Sequence, residues 1–323
     1  MSARRILWAA TCGALVLCGQ ATAQRLGVGR GIDHVGSLVR LENFDATANA
    51  MHQLGFAVTP ALLALGGATN HLIWFNDLSY LEIDAFTERN PSTAPFLDFL
   101  DHHEGGKIYG TQVFDAARAA DVLTAAGYPN VGPIPAGPLT LVPTGETVGA
   151  VPLWSLIILT SRVAPDNSNF FLDYDEAQVR KMFHDFPVLA PRPHPNTAER
   201  IDTLWMVVAD LDAAIDFYEG LGLKVRHKHK EVPYLGGRGA DVDYHNATLT
   251  LLEPDGPGLV ADFAADRGEG ILGVSLEVAR LGSAHNLVQA NTGLTLPILK
   301  HAGRSRFLIP ASFTHGLLIE MVE

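Results

Sequence analysis

The sequence has almost no cysteine: two residues in 323, Cys12 and Cys18, both near the start. Residues 1–23 have the layout of a secretory signal peptide, with Arg4 and Arg5, an apolar core from Ile6 to Cys18, and Ala21-Thr22-Ala23 as the small-residue cleavage site. That core is shorter than the roughly 20 residues a spanning helix needs. Cleavage after Ala23 would leave 300 residues without a thiol, which excludes cysteine nucleophiles, thiolate metal sites and disulfides. Positive charge is scarce as well. Without Arg4 and Arg5, 21 basic residues face 35 acidic ones, a net charge of −14. Such a surface repels phosphate backbones, so nucleic acid is not an expected partner. No later apolar run is long enough for a membrane span, and the expected location is periplasmic or secreted. The familiar hydrolase signatures are missing too: there is no G-x-S-x-G elbow and no H-E-x-x-H. Gly27-Val28-Gly29-Arg30-Gly31 precedes a strand instead of joining strand to helix, so the dinucleotide fingerprint fails.

What is present is a repeat with one residue changed. Ile32-Asp33-His34-Val35 opens a strand-like run, and Ile201-Asp202-Thr203-Leu204 opens its counterpart 169 residues later. An amphipathic helix follows each, then Leu54-Gly55-Phe56 or Leu221-Gly222-Leu223. The proline-rich stretch Pro187–Pro195 divides the chain into halves, 24–190 and 191–323. Each half reads as two strand–helix–strands units. Helices are expected near Ala46–Leu54, Ala116–Ala126, Leu211–Leu221 and Ser283–Ala290; the third carries the stripe Leu211, Ala214, Ile215, Tyr218 and Leu221. Strands include Phe56–Val58, His71–Phe75, Tyr80–Ile83, Lys107–Val113, Leu153–Ile158, Leu204–Val208, Lys224-Val225, Ala247–Leu252, Leu272–Val278 and Gly316–Glu320. Such α+β units cannot bury both sheet faces alone, so they pair around a concave pocket.

Asp33-His34-Val35, Leu54-Gly55-Phe56, Ala68-Thr69-Asn70-His71 and Tyr80-Leu81-Glu82 resemble the first module of a glyoxalase-like domain of the vicinal oxygen chelate superfamily. Phe170–Tyr174 and His194-Pro195-Asn196 are similar to its later part, and Phe307–Glu320 to the last strands of superfamily epimerases. The resemblance implies an α+β fold of tandem βαβββ modules, four in two halves. It also implies metal ligands on the first strand (often His) and the fourth strand (often Glu) of a module. Carried over, the first module offers His34 and Glu82 for one divalent ion, and the second offers no ligand, with Gly110 or a neighbour on its first strand and Ile157 or Ile158 on its last. The third offers Thr203 and Glu253, the fourth Gly273 and Glu320.

A catalytic divalent site draws about three protein ligands, and a ferrous oxygenase site two histidines and a carboxylate. No module pair supplies these, which disfavours an extradiol-type dioxygenase. His34 and Glu82 are therefore the candidate catalytic residues, either as ligands or as an acid–base pair. A glutamate between Leu81 and Ile83 needs a partner if buried. Asn70, His71, Phe171 and Tyr174 are the candidate substrate-binding residues at the rim. His227 and His229 share a face as H-x-H, but their neighbours are cationic and a solvated edge is the simpler reading. The expected function is a small-molecule lyase or isomerase working in the first half, as monomer or homodimer. The other reading is a metal-free protein that sequesters a small ligand in the same cup.

Overall fold

The computed structural model describes residues 28–64, 67–149, 152–160 and 169–323; the expected signal peptide lies outside them. The first module runs β1 (Val28–Leu38), α1 (Phe44–Gln53), β2 (Leu62–Leu63), β3 (Ala68–Trp74) and β4 (Tyr80–Phe86). After α2 (Ala94–Leu100) the second runs β5 (Gly105–Val113), α3 (Ala116–Ala125), β6 (Asn130–Ala136), β7 (Leu139–Leu141), β8 (Glu146–Val148), β9 (Trp154–Leu159) and β10 (Asn169–Tyr174), then α4 (Glu176–Asp185). The third comprises β11 (Ala198–Val207), α5 (Leu211–Gly220), β12 (Lys224–Val232), β13 (Gly237–Asp243) and β14 (Thr248–Pro254), followed by α6 (Leu259–Arg267). The fourth comprises β15 (Gly270–Val278), α7 (Leu281–Thr292), β16 (Leu299–His301), β17 (Arg304–Ile309) and β18 (Leu318–Val322).

The same wiring appears four times: the last strand of each module lies parallel to its first, as in β1 with β4 and β5 with β10. First strands pair antiparallel, β1 with β5 and β11 with β15, and this joins the modules two by two into two sheets. Helices form where the periodicity places them. Asp115 and Asp210 cap α3 and α5 by accepting backbone N–H bonds from Arg118 and Ala213. The inward face of α5 is Leu211, Ala214, Ile215 and Tyr218, the stripe visible in the sequence. Phe56–Val58 is a loop, not a strand; the short β2 takes its place in the sheet.

One core serves both halves. It gathers Leu81, Ile83 and Tyr109 from the first sheet, Leu204, Leu276 and Ile319 from the second, and the inner faces of α1, α3, α5 and α7. Tyr109 and Tyr218 seal the junction with a buried hydroxyl–hydroxyl bond of 2.7 Å. Tyr109→Phe should lower the free energy of unfolding in urea by about 1 kcal/mol, because Tyr218 loses a buried partner.

The two concave faces lie on the other side of their sheets and differ. In the first sheet, β6 at one edge runs through Gly137 and Pro138 into β7, which pairs with β2 toward the opposite edge. Two connecting residues allow this only if the edges approach, so the sheet curls into a nearly closed barrel. In the second sheet the concave face is filled. Trp205, Val207, Leu252, Leu272 and Leu318 pack there against Val260 and Phe263 of α6.

Candidate functional site

The barrel of the first half encloses a cavity of about 410 Å³. Its polar floor starts from a β-bulge. The pairing of β1 with β5 slips between Ile32 and His34, where Asp33 is the extra residue. The bulge leaves Ile32 and Val35 in the shared core and lets Asp33 and His34 serve one side. An identical slip between Ile201 and Thr203 makes Asp202 the bulged residue of β11.

Strand alternation supplies the rest. Along β4, Leu81, Ile83 and Ala85 enter the core, while Tyr80, Glu82, Asp84 and Phe86 line the cavity. Along β3, Asn70, Leu72 and Trp74 line it, and along β10, Phe170, Leu172 and Tyr174.

His34 Nδ1 donates to Asp33 Oδ1 at 2.8 Å, leaving Nε2 3.5 Å from Glu82 Oε2. Asn70 Nδ2 donates to Glu82 Oε1 at 2.6 Å, which fixes the orientation of that amide and leaves Asn70 Oδ1 buried without a partner. Tyr174 donates to Asp33 Oδ1 at 3.0 Å, and the Tyr80 hydroxyl lies 3.2 Å from that of Tyr174. The Tyr80 ring stacks on His34 at 4.5 Å, and Phe170 flanks the imidazole at 5.3 Å.

Burial disfavours a charged His34, yet the Asp33 hydrogen bond and the charges of Glu82 and Asp33 outweigh it and raise its pKa. Burial raises Glu82 despite the opposing charge of His34. Asp84 is raised furthest of the two carboxyls, by burial and by the neighbouring Glu82 charge. Burial also pushes Tyr80 and Tyr174 well up, so both keep their protons.

These shifts carry a sign. Groups with raised folded pKa contribute stability at low pH and lose it as pH climbs through the folded value. For Glu82 and Asp84 the loss begins above 4.5 and 3.8, and for His34 above 6.5. Glu82→Gln should therefore melt higher than wild type at about pH 8, by on the order of 1 kcal/mol, with the gap shrinking toward about pH 4. Thermal melts across that range read it directly.

Four of the six sequence candidates meet here: His34, Glu82, Asn70 and Tyr174. His71 and Phe171 do not, because each neighbours a cavity-facing residue on a strand and must point the other way. His71 stacks on Phe44 of α1 at 4.5 Å and its Nδ1 donates to the Thr59 carbonyl at 2.7 Å. Phe171 is buried in the shared core, and Phe170 takes the place at the site. Asp33, Tyr80 and Asp84 were missed. Asp33 is duplicated as Asp202, and Tyr80, Glu82 and Asp84 alternate on one strand, so both signals stood in the sequence.

Register also corrects the ligand positions of the other modules. Gly110 pairs with His34, and Leu172, aligned with Gln112 two residues beyond Gly110 as Glu82 is with Gly36, replaces the carboxylate; Ile157 and Ile158 belong to the preceding strand. In β14 the counterpart of Glu82 is Thr250, not Glu253, and Glu253 pairs with Arg238 across the sheet. Ser275, not Gly273, faces Thr203, and Glu320 is held by Ser275 at 2.6 Å and by Arg306 at 3.1 Å. Asp202 accepts from Arg304 at 3.0 Å and from Thr203 at 3.1 Å. The acids of the second floor are neutralised internally. His227 and His229 turn to separate partners, Asp241 at 2.9 Å and Asp212 at 3.3 Å, and form no chelate.

The donor set does not fit a divalent ion. His34 Nε2 and Glu82 Oε2 could share one, with Asp33 and Asn70 orienting them from behind, but they are two donors where such a site draws about three. Among the described residues no group of three or more His, Cys, Asp or Glu gathers in metal-binding geometry.

A glyoxalase-like domain model matches residues 32–222, more than half of the chain. The chain belongs to the glyoxalase-like domain family. A model of the glyoxalase/bleomycin resistance protein/dioxygenase superfamily matches residues 200–309, in the second half. Among solved structures, a hypothetical protein from Staphylococcus aureus is similar over 90% of this chain and 97% of its own, at 11% identity and a TM-score of 0.55. That likeness extends the shared fold over both halves. Methylmalonyl-CoA epimerase from Mycobacterium tuberculosis is 26% identical over 39% of this chain and 89% of its own, with a TM-score of 0.36. A hypothetical protein from Bacillus halodurans is 23% identical over 38% and 93%, with a TM-score of 0.34. No curated protein matches the chain.

Proposed function

We propose that this family member is a small-molecule isomerase or lyase that moves a proton within the first-half cavity, with Glu82 as base and His34 as acid. The observation that carries this is a carboxylate and an imidazole 3.5 Å apart, buried together with raised pKa values in a mostly apolar chamber. Buried titratable pairs of this kind are poised for proton transfer near neutral pH.

At that spacing the two groups can address adjacent atoms of one substrate. Glu82 removes the proton from a carbon next to a carbonyl while His34 Nε2–H protonates the carbonyl oxygen, giving the neutral enol. Return of the proton from Glu82 to the neighbouring carbon, as His34 takes a proton back from the enol oxygen, isomerises the substrate, and departure of a leaving group from the enol as its O–H proton returns to His34 makes the same start a lyase reaction. Asp33 holds the Nδ1–H and so keeps Nε2 toward the cavity. Asn70 fixes the Glu82 carboxylate. The working form needs Glu82 ionised and His34 protonated, so rate against pH should be a bell lying between their raised values. The leader at residues 1–23 would place this activity in the periplasm or outside the cell.

Solvent-deuterium wash-in, followed by proton NMR over a panel of apolar α-hydroxy ketones and aldehydes, tests the reading. Exchange at the carbon next to the carbonyl, lost in Glu82→Gln, is the expected result. Tight binding of panel members with no exchange in the wild type would make the protein a sequestering one instead.

A further inference from the structure

We infer that the cavity selects an uncharged, largely apolar ligand carrying a hydroxyl group, and rejects carboxylates and phosphates. This rests on the cavity being the ligand site, but not on its proton chemistry.

The selectivity follows from which charges face the space. Among the described residues lining the cavity there is no lysine and no arginine, and His34 is the one histidine. That imidazole gives its Nδ1–H to Asp33 and holds Nε2 3.5 Å from Glu82, so two carboxylates already balance any charge it carries. An anionic ligand would enter beside the Glu82 carboxylate and the Asp84 carboxyl without a free cation to meet it. Burying an unpaired charge in such surroundings is among the costliest events in ligand binding.

The floor instead asks for a donor. Asn70 lines the cavity, and its Oδ1 is buried without a hydrogen-bond partner, because its amide nitrogen is used on Glu82. A ligand hydroxyl donating to this oxygen would satisfy it. The same hydroxyl, or the carbonyl beside it, then sits within reach of His34. The walls set the remainder: Phe96, Leu139, Leu153, Phe170 and Met182 offer apolar surface, and the buried, unpartnered N–H groups of Trp74 and Asn169 can meet a ligand oxygen. A fused two-ring skeleton is a suitable size for about 410 Å³.

Calorimetric titration at about pH 7 with one skeleton and four head groups tests the proposal: naphthalene, 2-naphthalenemethanol, 2-naphthoate and 2-naphthylmethylammonium. The alcohol is expected to bind tightest, about 5- to 10-fold tighter than naphthalene for one added hydrogen bond. The carboxylate is expected at least about 100-fold weaker than the alcohol. Asn70→Ala should erase the gain of the alcohol over naphthalene while naphthalene binding, which also reports folding, persists. Glu82→Gln should recover at least about 10-fold of the lost carboxylate affinity, since it removes the repelling charge. Equal or tighter binding of the carboxylate, tighter binding of the ammonium, or no binding of any probe each overturns the assignment. Failure of deuterium wash-in with this selectivity intact would remove the catalytic reading alone.

Discussion

Glu82→Gln should slow solvent-deuterium exchange into a turned-over substrate by about two to four orders of magnitude, the usual worth of a positioned general base. The substitution is nearly isosteric and retains an oxygen for the Asn70 donor, so the cavity keeps its shape. Binding of a neutral ligand should change little, which confines the loss to the chemical step. The variant should also be more stable than wild type at alkaline pH, because burial holds the Glu82 carboxyl above its ordinary value. A slower and sturdier protein is the signature of a buried charge kept for function. Loss of stability alongside loss of exchange would instead make Glu82 a structural group.

Gly110→Ala should damage the fold and the site together. An added Cβ would lie 2.7 Å from His34 Cε1, 2.9 Å from His34 Nδ1 and 2.6 Å from Leu172 Cδ2. Neither neighbour can retreat freely: His34 is wedged between Tyr80 and Phe170, and Leu172 stands on a paired strand. Overpacking of this kind costs about 1–3 kcal/mol. Displacement of the imidazole from Asp33 should lower exchange by at least about 10-fold, since orientation of a catalytic group is worth that much or more. Urea denaturation and the exchange assay give the two numbers. Gly110 stands where His34 stands in the first module, and its lack of a side chain makes room for that histidine to pack.

Much of this architecture was legible in the residues. The strand openings at Ile32 and Ile201, the stripe on α5 and the proline break are local patterns, and local patterns set the module count. His34 and Glu82 could be named because the family resemblance points to those strand positions and each is a polar residue inside an apolar strand. The errors came from information that only pairing provides. Adjacent residues within a regular stretch of strand point to opposite faces, so of Asn70-His71 and Phe170-Phe171 one member each had to be discarded. Alternation alone would have said that much, but not which one. The bulge at Asp33 is invisible in composition, and it is what brings that carboxylate behind His34. The last strand of the second module was misplaced because β9 reads as a strong apolar strand, whereas β10 is identified by its parallel pairing with β5. Closure of the barrel through β6 and β7, and the filling of the second cup by α6, are long-range packing events with no local signature.

The second half explains the asymmetry of the repeat. Asp202 keeps the bulge but Arg304 has taken its carboxylate, and Arg306 has taken Glu320. Thr203 offers no imidazole, and the apolar floor is occupied by α6. One half is therefore a scaffold with a closed face, and the other carries the chamber.

The central claim is that Asp33, His34 and Glu82 form one buried, electrostatically linked proton-transfer unit. Nitrogen-15 NMR titration of the His34 imidazole measures that linkage without any substrate. The expected result is a pKa above 6.5 in the wild type that falls in both Asp33→Asn and Glu82→Gln. A wild-type value below 6.5, unmoved by either substitution, would contradict it.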